Sequence, residues 1–400
     1  MSTWTRVAAA AALISAPVAA QTPSPEVLRT ANGDVRVERL ATLEFPWGMA
    51  YLPDGRLLVT EKPGRLRIYG GGRLSEPVAN VPGVSYRDGP SEQGGLLDVA
   101  VDPDFARNGR IYLSYSEAAD QQPPDIAETG DARFGGHLDM SDNRLRGGAV
   151  ARAVLDGNSL RQVEVIWRQV PRTIGRGHFG HRLVFGRDGT LFITSGERMR
   201  FEPAQNPASN LGKIVRINTD GSIPADNPFA GKPGARGDVW SLGHRNILSA
   251  AVHPVSGQLW VWEMGPLGGD ELNVIQSGRN YGWPAVSNGD NYDSSTIPDH
   301  PARAEFESPV RTWTPVLSPS GALFYSGTLF PYRNNIVIGG LSSKALIRFG
   351  VDGTSVTHEE RIDMQRRVRD VIEAPDGALL LITDDKNGEL LRLTPMSRNN

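Results

Sequence analysis

The feature of this sequence that most constrains its fold is a short pattern that recurs six times along the chain. Each copy has an apolar run of strand-forming residues, a tight turn of the Asp-Gly kind and a second apolar run, which together are typical of a β-hairpin. In two copies a third run follows closely, as in "RLRIY" and "ELLRL". The copies begin at Gly48, Leu96, Leu183, Ala250, Ala322 and Val371.

This repetition predicts an all-β chain that forms a six-bladed β-propeller, with four-stranded antiparallel blades and long inter-strand loops. A β-sandwich or a two-domain β protein is the alternative, but the pattern runs from end to end without a break in composition. The run "ERLATLEF" near the N-terminus is expected to supply the closing strand of the last blade. The 45 glycines and 29 prolines also favour many turns over long helices.

The N-terminus has the pattern of an export signal. Its apolar run, "VAAAAALISAPVAA", is too short to span a bilayer, and Val18 and Ala20 give the small-x-small pattern of a signal-peptidase site. We therefore predict a signal peptide over residues 1–20, cleaved after Ala20, and a single propeller domain over residues 21–400 that is exported to the periplasm. The polar stretch 117–147 is predicted as a long loop inserted in the second blade.

The overall charge and the residue types that are missing exclude several function classes. The formal net charge is −3, with 42 Lys and Arg against 45 Asp and Glu, so nothing indicates binding to nucleic acid or to an anionic membrane surface. The chain has no cysteine, which excludes disulfides, thiolate zinc sites and iron–sulfur clusters. No apolar stretch beyond the N-terminal one is long enough for a membrane span.

Polar side chains with binding or catalytic chemistry precede several of the predicted strands. "GHFGHRL" and "SLGHRNILSAAV" place histidines just before a strand, and "MGPLGGDE" places a Gly-Pro turn and two carboxylates just after one. A propeller brings the starts of its innermost strands to one face around the central channel. We therefore expect a cluster of cations, amides and one candidate base there, suited to a small polyanionic ligand and a polar substrate. Its expected members are Gln93, His178, Arg245, Asn246, Arg367 and Arg369.

Longer motifs make a resemblance to a known family specific. The chain contains "QGGLLDVAVDPDFARNGRIYLSYSE", "GHFGHRLVFGRDGTLFIT", "LGKIVRINTDGSIPADNPF", "WSLGHRN", "GDELNVIQSGRNYGWP" and "RVRDVIEAPDGALLLITD". In these motifs the chain resembles the soluble pyrroloquinoline-quinone (PQQ) sugar dehydrogenases, in particular the aldose sugar dehydrogenase branch of the glucose/sorbosone dehydrogenase family. The resemblance extends roughly from Leu43 to Pro395 and implies a six-bladed propeller. It also implies oxidation of aldose sugars at the anomeric carbon to aldonolactones, by hydride transfer to PQQ.

The resemblance implies a role for each residue of the expected cluster. His178 matches the general base that takes the proton of the anomeric hydroxyl, and Arg245 matches the arginine that contacts the quinone and the reacting sugar. Asn246 matches a cofactor-binding neighbour, and Gln93 matches a glutamine at the sugar site. The remaining two, Arg367 and Arg369, match the pair that holds the carboxylates of PQQ, a role that suits guanidinium groups.

The resemblance also implies two calcium sites. The carbonyl oxygens of Gly265 and Pro266 match ligands of the cofactor's calcium, while Glu271 and the carbonyl of Tyr281 match ligands of a second, structural calcium. Calcium is a hard cation that takes carbonyl and carboxylate oxygens in a flexible shell. Because the chain carries no haem motif, we expect electrons to leave to a separate acceptor. Monomer and homodimer both remain open.

Several positions depart from the family pattern. Ser342 stands where a lysine that contacts PQQ is common, and Lys344 follows two residues on. Met264 and Leu248 replace glutamines found in some glucose-active members, and Glu197 stands where an aspartate is common. These departures bear on cofactor affinity and on the preferred sugar, while the base, the arginine pair and the calcium turn are retained.

Two other function classes are consistent with an exported propeller. One is a calcium-dependent lactonase, whose site usually needs side-chain carboxylates and asparagines around a central ion, whereas this channel is predicted to be rich in arginine. The other is a non-catalytic propeller that binds a glycan or a protein, an alternative that the missing lysine keeps open.

Overall fold

The structure, a computed structural model, describes residues 26–89, 92–122 and 144–396. Within these residues the chain is nearly all β, and its strands form six antiparallel sheets arranged as the blades of a propeller. The prediction of an all-β, six-bladed fold is therefore confirmed. The predicted signal peptide over residues 1–20 lies outside the described residues.

The chain enters the structure through two strands that join the last blade: β1 (Glu26–Thr30) and β2 (Gly33–Leu43). Blade 1 contains β3 (Pro46–Tyr51), β4 (Leu57–Glu61), β5 (Arg65–Gly70) and β6 (Arg73–Leu74). Blade 2 contains β7 (Leu96–Val101), β8 (Arg110–Ala118), β9 (Arg146–Asp156) and β10 (Ser159–Arg168). Blade 3 contains β11 (Gly180–Phe185), β12 (Leu191–Ser195), β13 (Lys213–Ile217) and β14 (Val239–Leu242).

The second half of the chain repeats this order. Blade 4 contains β15 (Ile247–Val252), β16 (Leu259–Glu263), β17 (Asp270–Val274) and β18 (Arg311–Trp313). Blade 5 contains β19 (Pro319–Phe324), β20 (Ile336–Gly340), β21 (Ala345–Asp352) and β22 (Ser355–Asp363). Blade 6 contains β23 (Val368–Glu373), β24 (Leu379–Thr383) and β25 (Gly388–Pro395), completed by the two N-terminal strands.

The last blade is closed by the N-terminal end of the described chain. β2 pairs antiparallel with β25, so that Val37 lies opposite Leu393 and Leu43 lies opposite Gly388. β1 adds a fifth strand at the outer edge of the same sheet. The expectation that "ERLATLEF" supplies the closing strand is confirmed, and this pairing joins the two ends of the ring.

The insertion in blade 2 is shorter at both ends than the predicted loop 117–147. β8 and β9 remain paired as far as Ala118 and Arg146, because their ladder of hydrogen bonds continues to that point. Residues 123–143 lie outside the described residues. The described helices are one turn of α-helix, α1 (Phe105–Asn108), and 3₁₀ turns at Glu202–Gln205 and His300–Ala302. None of them has the length and apolar character needed to cross a membrane.

The hydrophobic core is divided among the interfaces between neighbouring blades. Leu58 and Leu66 of blade 1, for example, pack with Leu96 and Ile111 of blade 2, and similar clusters fill the other interfaces of the ring. A strand inside such a ring is covered on both faces, and β24 is buried over its whole length. This double burial explains why the strands appear in the sequence as short continuous apolar runs.

One buried guanidinium joins the inner strands across the centre of the ring. Arg182 places nitrogen atoms 3.2 Å from a carboxylate oxygen of Asp98 and 3.2 Å from one of Asp370, and it lies 4.3 Å from the ring centroid of Trp47. The strands approach so closely that a Cβ on Gly48 would lie 2.5 Å from the Asp98 carboxylate. Strands of blades 1, 2, 3 and 6 therefore meet at this group, which blocks the channel and supports the cavity at its mouth.

Candidate active site

A cavity of about 190 Å³ lies at the mouth of the channel, next to this plug. The structure brings four of the sequence-derived candidates into its wall: Gln93, Asn246, Arg367 and Arg369. Asn246 and Arg367 directly precede an inner strand, Arg369 lies within one, and Gln93 lies three residues before another, so the ring places the starts of β7, β15 and β23 around one opening. Another four candidates, Arg245, Gly265, Glu271 and Tyr281, line a smaller adjoining pocket.

His178 forms a buried pair with Glu197. Its Nδ1 lies 2.5 Å from Oε1 of Glu197, and its peptide N–H donates to Oε1 of Gln93 at 2.9 Å. The second oxygen of Glu197 accepts the peptide N–H groups of Arg200 and Phe201. Because an ionised carboxylate only accepts hydrogen bonds, Nδ1 carries the ring proton and the lone pair is on Nε2. This is the tautomer that a general base requires.

Burial and nearby charges set the protonation of this pair. Burial and the positive charge of Arg245 lower the pKa of His178 below its ordinary value, against the opposing effect of Glu197. Burial raises the pKa of Glu197, but His178 and Arg245 outweigh it and hold that pKa below the ordinary value. At neutral pH the pair is therefore a neutral imidazole beside an ionised carboxylate.

His181, the second histidine of the same motif, has a packing environment. Its ring is fully buried near Trp167 and Phe179, and burial lowers its pKa to about 3. Neither ring nitrogen has a hydrogen-bond partner among the described residues. A Cβ on Gly148 would lie 1.6 Å from Nε2, so the neighbouring strand needs glycine to accommodate the ring. His181 therefore fills space between blades 2 and 3.

Arg245 and Asn246 carry buried polar atoms whose hydrogen bonding is incomplete. Nη1 of Arg245 donates to the carbonyl oxygens of Met264 and Gly265, both at 3.0 Å, and the guanidinium lies 5.2 Å from the ring centroid of Trp283. In the described part of the chain, Nε of Arg245 and Oδ1 of Asn246 have no partner. Because buried polar atoms are almost always bonded, these two atoms indicate a polar ligand where the cavity and the smaller pocket adjoin.

The two arginines before and within β23 converge on one carboxylate. Arg367 and Arg369 each place Nη2 2.8 Å from an oxygen of Asp384, which they approach from the same side. Burial opposes ionisation of Asp384, but Arg369 and Lys62 hold its pKa far below the ordinary value. Arg366 instead pairs with two glutamates at the outer part of the last blade. The cavity wall therefore carries more positive than negative charge.

The next lysine after position 342 does not line the cavity. The hydroxyl of Ser342 lies 2.7 Å from that of Ser318, and Lys344 is exposed in the turn before β21, where it lines an adjoining cleft that shares Arg367 and Asp384 with the cavity. A different lysine, Lys62 of blade 1, is buried and lines the cavity itself.

The turn after β16 holds the backbone of Gly265 and Pro266 in a fixed position. The peptide N–H of Gly265 donates to Oδ1 of Asp270 at 2.8 Å, and the other oxygen of Asp270 accepts two peptide N–H groups from the loop before β19. A Cβ on Gly265 would lie 2.2 Å from a carbonyl oxygen of the same turn, so only glycine fits. Carbonyl oxygens on rigid backbone suit a hard cation such as calcium.

Glu271 and Tyr281 face the same small pocket. Nδ2 of Asn273 donates to the carboxylates of Glu263 and Glu271, both at 3.1 Å, and burial together with Glu263 raises the pKa of Glu271. The carbonyl of Tyr281 accepts a hydrogen bond from Nε2 of His300 at 3.2 Å. No cluster of three or more His, Asp or Glu side chains with metal-binding spacing occurs in residues 26–89, 92–122 and 144–396. A calcium ion at this buried, all-oxygen site would therefore depend on backbone ligands as well.

The residues that the sequence reasoning missed share one position in the blade. Lys62 follows β4, Glu197 follows β12 and Asp384 follows β24, so each comes after the second strand of its blade. In an antiparallel blade the end of the second strand lies beside the start of the first. A position just after the second strand of a hairpin is therefore the sequence signal that these three charged residues share with the Gly-Pro turn after β16.

Comparison with known proteins agrees with this arrangement. A family model described as "Glucose / Sorbosone dehydrogenase" matches residues 43–392. The chain is 40% identical over 378 residues to the aldose sugar dehydrogenase YliI of Escherichia coli (strain K12), a match that covers 92% of this chain and 95% of the other.

Two solved structures extend the comparison. The soluble aldose sugar dehydrogenase of Escherichia coli in its apo form superposes with a TM-score of 0.80 at 38% identity, over 90% of this chain and 100% of the other. The PQQ-bound aldose sugar dehydrogenase of Streptomyces coelicolor superposes with a TM-score of 0.67 at 27% identity, over 93% and 99% of the two chains.

Proposed function

Because the chain belongs to the glucose/sorbosone dehydrogenase family and is a sugar dehydrogenase, we propose that it oxidises aldoses at the anomeric carbon to aldonolactones, with PQQ and calcium as cofactors. The observation that carries this proposal is the buried pair of His178 and Glu197 beside a cavity whose wall has an excess of cations. The PQQ of the Streptomyces coelicolor relative supports the choice of cofactor.

His178 acts as the general base in this proposal. Its Nε2 lone pair takes the proton of the anomeric hydroxyl, while Glu197 holds the ring by Nδ1 and stabilises the imidazolium that forms. Because burial lowers the pKa of His178, the imidazole is in its accepting form at neutral pH. Gln93, whose side-chain oxygen accepts the peptide N–H of His178, is proposed to contact the sugar as well.

Arg245 stabilises the negative charge that develops as the sugar is oxidised. It is held by two backbone carbonyls and by the aromatic ring of Trp283, so its position is set before the substrate arrives. When bound, PQQ would supply the hydride acceptor and calcium would supply a Lewis acid.

The cavity wall supplies the groups that hold PQQ. Arg367 and Arg369 present guanidinium groups that Asp384 orients, and they bind carboxylates of the cofactor. Asn246 contributes its side-chain amide, which can donate through its NH₂ group or accept through its unpartnered oxygen. The fit is chemical, because this wall carries three cations, Lys62, Arg367 and Arg369, against two carboxylates, which favours an anionic ligand.

Calcium is proposed at the two places that present oxygen ligands. The carbonyls of Gly265 and Pro266 would hold the cofactor's ion, and Glu271 with the carbonyl of Tyr281 would hold a structural ion. The clamp of Asp270 on the Gly265 turn supports the first assignment, and the buried carboxylate of Glu271 supports the second.

The electron acceptor and the site of action belong to the same proposal. Electrons pass to a separate acceptor, because a chain without cysteine carries no covalently attached haem to receive them. Residues 1–20 are proposed to direct export to the periplasm, where residues 21–400 act as one domain.

The test is reconstitution of the purified protein with PQQ and calcium, followed by reduction of a dye on addition of aldoses. We expect turnover that requires both PQQ and a sugar, and that is lost in His178→Ala. Hydrolysis of lactones without PQQ would instead support the lactonase alternative. PQQ binding without turnover would support a binding protein.

A further inference from the structure

Lys62 is a buried cation whose surroundings do not satisfy it. Its side chain follows β4, is 7% exposed and lines the cavity. Among the described residues, its ammonium donates one hydrogen bond, to the carbonyl of Glu92 at 3.1 Å, and it lies 4.8 Å from the ring centroid of Phe45. An ammonium has three N–H donors, so two of them remain for a ligand.

The charges around Lys62 leave it without a carboxylate of its own. Asp384 is the carboxylate with the largest electrostatic effect on Lys62, but its two oxygens are already paired with Arg367 and Arg369. The carboxylate of Glu92 pairs with Arg146 at 3.0 Å and accepts the peptide N–H of Gly94. The wall therefore carries three cations against two carboxylates, one of which is already paired with Arg146, and a polyanionic ligand stabilises such an arrangement.

We propose that the ammonium of Lys62 binds a carboxylate of PQQ, and that it supplies from blade 1 the cation that Ser342 does not supply from blade 5. This inference rests on the proposed function, since it assigns a further residue to the same cofactor. Its geometric basis is that Lys62, Arg367 and Arg369 line one cavity, whereas Ser342 is hydrogen bonded to Ser318.

The backbone of Lys62 is fixed independently of its charge. The peptide N–H of Lys62 donates to the carbonyl of Phe45 at 3.0 Å, and its carbonyl accepts the N–H of Leu96 at 2.9 Å. A side chain without charge at this position therefore leaves these contacts in place. Replacing a poorly paired buried charge by an apolar group of similar size is often neutral or stabilising.

The assignment makes cofactor affinity depend on pH in a defined direction. Burial lowers the pKa of Lys62 to about 8, with Asp384 and Glu92 acting to raise it and Arg369 and Arg367 acting to lower it. A bound carboxylate raises that pKa, so binding is strongest when Lys62 is already protonated. Affinity is therefore expected to fall as the pH rises above about 8, by at most ~10-fold per pH unit.

The experiment measures the Kd of PQQ in the presence of calcium, by quenching of tryptophan fluorescence, from pH 7 to pH 9.5. Lys62→Met is expected to weaken binding roughly 10- to 100-fold at pH 7 and to abolish the decline above pH 8. Lys62→Arg stays charged over the whole range and is expected to bind without that decline. Lys344→Met, which removes an exposed lysine from the neighbouring cleft, is the matched control and is expected to keep the Kd of the unchanged protein.

Thermal unfolding of the apo-protein distinguishes binding from a structural role. We expect the melting temperature of apo Lys62→Met to be unchanged or raised. A lower melting temperature with an unchanged Kd would show that Lys62 only fastens the segment at Glu92, and would overturn the inference. If Lys62→Met does not fold, a pH decline in Lys62→Arg equal to that of the unchanged protein would overturn it as well. Absence of PQQ binding in the unchanged protein would overturn the proposed function itself.

Discussion

Replacing Glu197 by glutamine is expected to abolish the basic function of His178 while the histidine itself is kept. One carboxylate oxygen of Glu197 accepts peptide N–H groups from Arg200 and Phe201, and the other lies 2.5 Å from Nδ1 of His178. In Glu197→Gln the amide oxygen must face the two peptide donors, because an NH₂ group there would meet their hydrogens. The NH₂ then faces Nδ1 and donates to it, which moves the ring proton to Nε2.

The size of the effect follows from this change of tautomer. A positioned general base contributes typically ~10²- to 10⁴-fold to the rate, and an imidazole protonated at Nε2 cannot accept the proton of the sugar hydroxyl. We therefore expect turnover to fall by ~10²- to 10⁴-fold at pH 7. The carboxylate also raises the pKa of His178, so its loss is expected to move the acid limb of the pH profile to lower pH. In the unchanged protein that limb lies where the pH falls through the lowered pKa of His178.

The assay is dye reduction by PQQ- and calcium-loaded protein at saturating aldose, with the Kd of PQQ measured in parallel. Glu197→Asp keeps the negative charge and is the matched control, with a much smaller loss expected than for glutamine. The Kd of PQQ is expected to stay close to that of the unchanged protein, because the arginines of the cavity remain. Near-normal turnover in Glu197→Gln, with normal PQQ binding, would refute the role of the pair.

The remaining predictions use single substitutions and chelation. His178→Ala is expected to lower turnover by ~10²- to 10⁴-fold with PQQ binding retained, whereas His181→Ala, which empties a packed site, is expected to lower the melting temperature and to affect turnover much less. Arg367→Ala is expected to weaken PQQ binding roughly 10- to 100-fold in a fluorescence titration, while Arg366→Ala, which loses only outer ion pairs, is expected to be nearly silent, and equal effects would contradict the placement of the two side chains. A chelator is expected to remove activity and to lower the melting temperature of the apo-protein, and Glu271→Gln is expected to reduce the second effect only; an apo-protein whose melting ignores chelator would contradict the structural calcium site.

The architecture could be predicted because its signals are local. Each hairpin has its own turn residues and its own apolar runs, and six such units with no break in composition leave few alternatives to a closed ring. The closing strand was also predictable, since a run such as "ERLATLEF" needs a partner and the last unit lacks one strand. The ends of the predicted loop 117–147 were less accurate, because the pairing of β8 with β9 continues past the point where the sequence becomes polar.

The candidate site was predictable only in part. Residues just before the inner strands, such as Gln93, Asn246 and Arg367, follow from the rule that these strand starts meet at one face. Glu197 and Lys62 do not follow from that rule, because they come after second strands and each lies in a stretch that looks like an ordinary turn. Glu197 pairs with His178, which lies 19 residues earlier in the chain. Lys62 lies in one cavity with Arg367 and Arg369, which belong to another blade.

The fold class, the number of blades and the side of the ring that carries the reactive side chains follow from the sequence alone. They depend on hairpin units of about twenty residues each, whose turn residues and apolar runs act locally. Which charges pair depends on tertiary contacts, because closure of the ring brings Arg182 between Asp98 and Asp370 and places Lys62 in one cavity with the arginines. Electrostatic and hydrogen-bond energies depend on distances of a few ångströms and on burial, and both are fixed only when all six blades are in place.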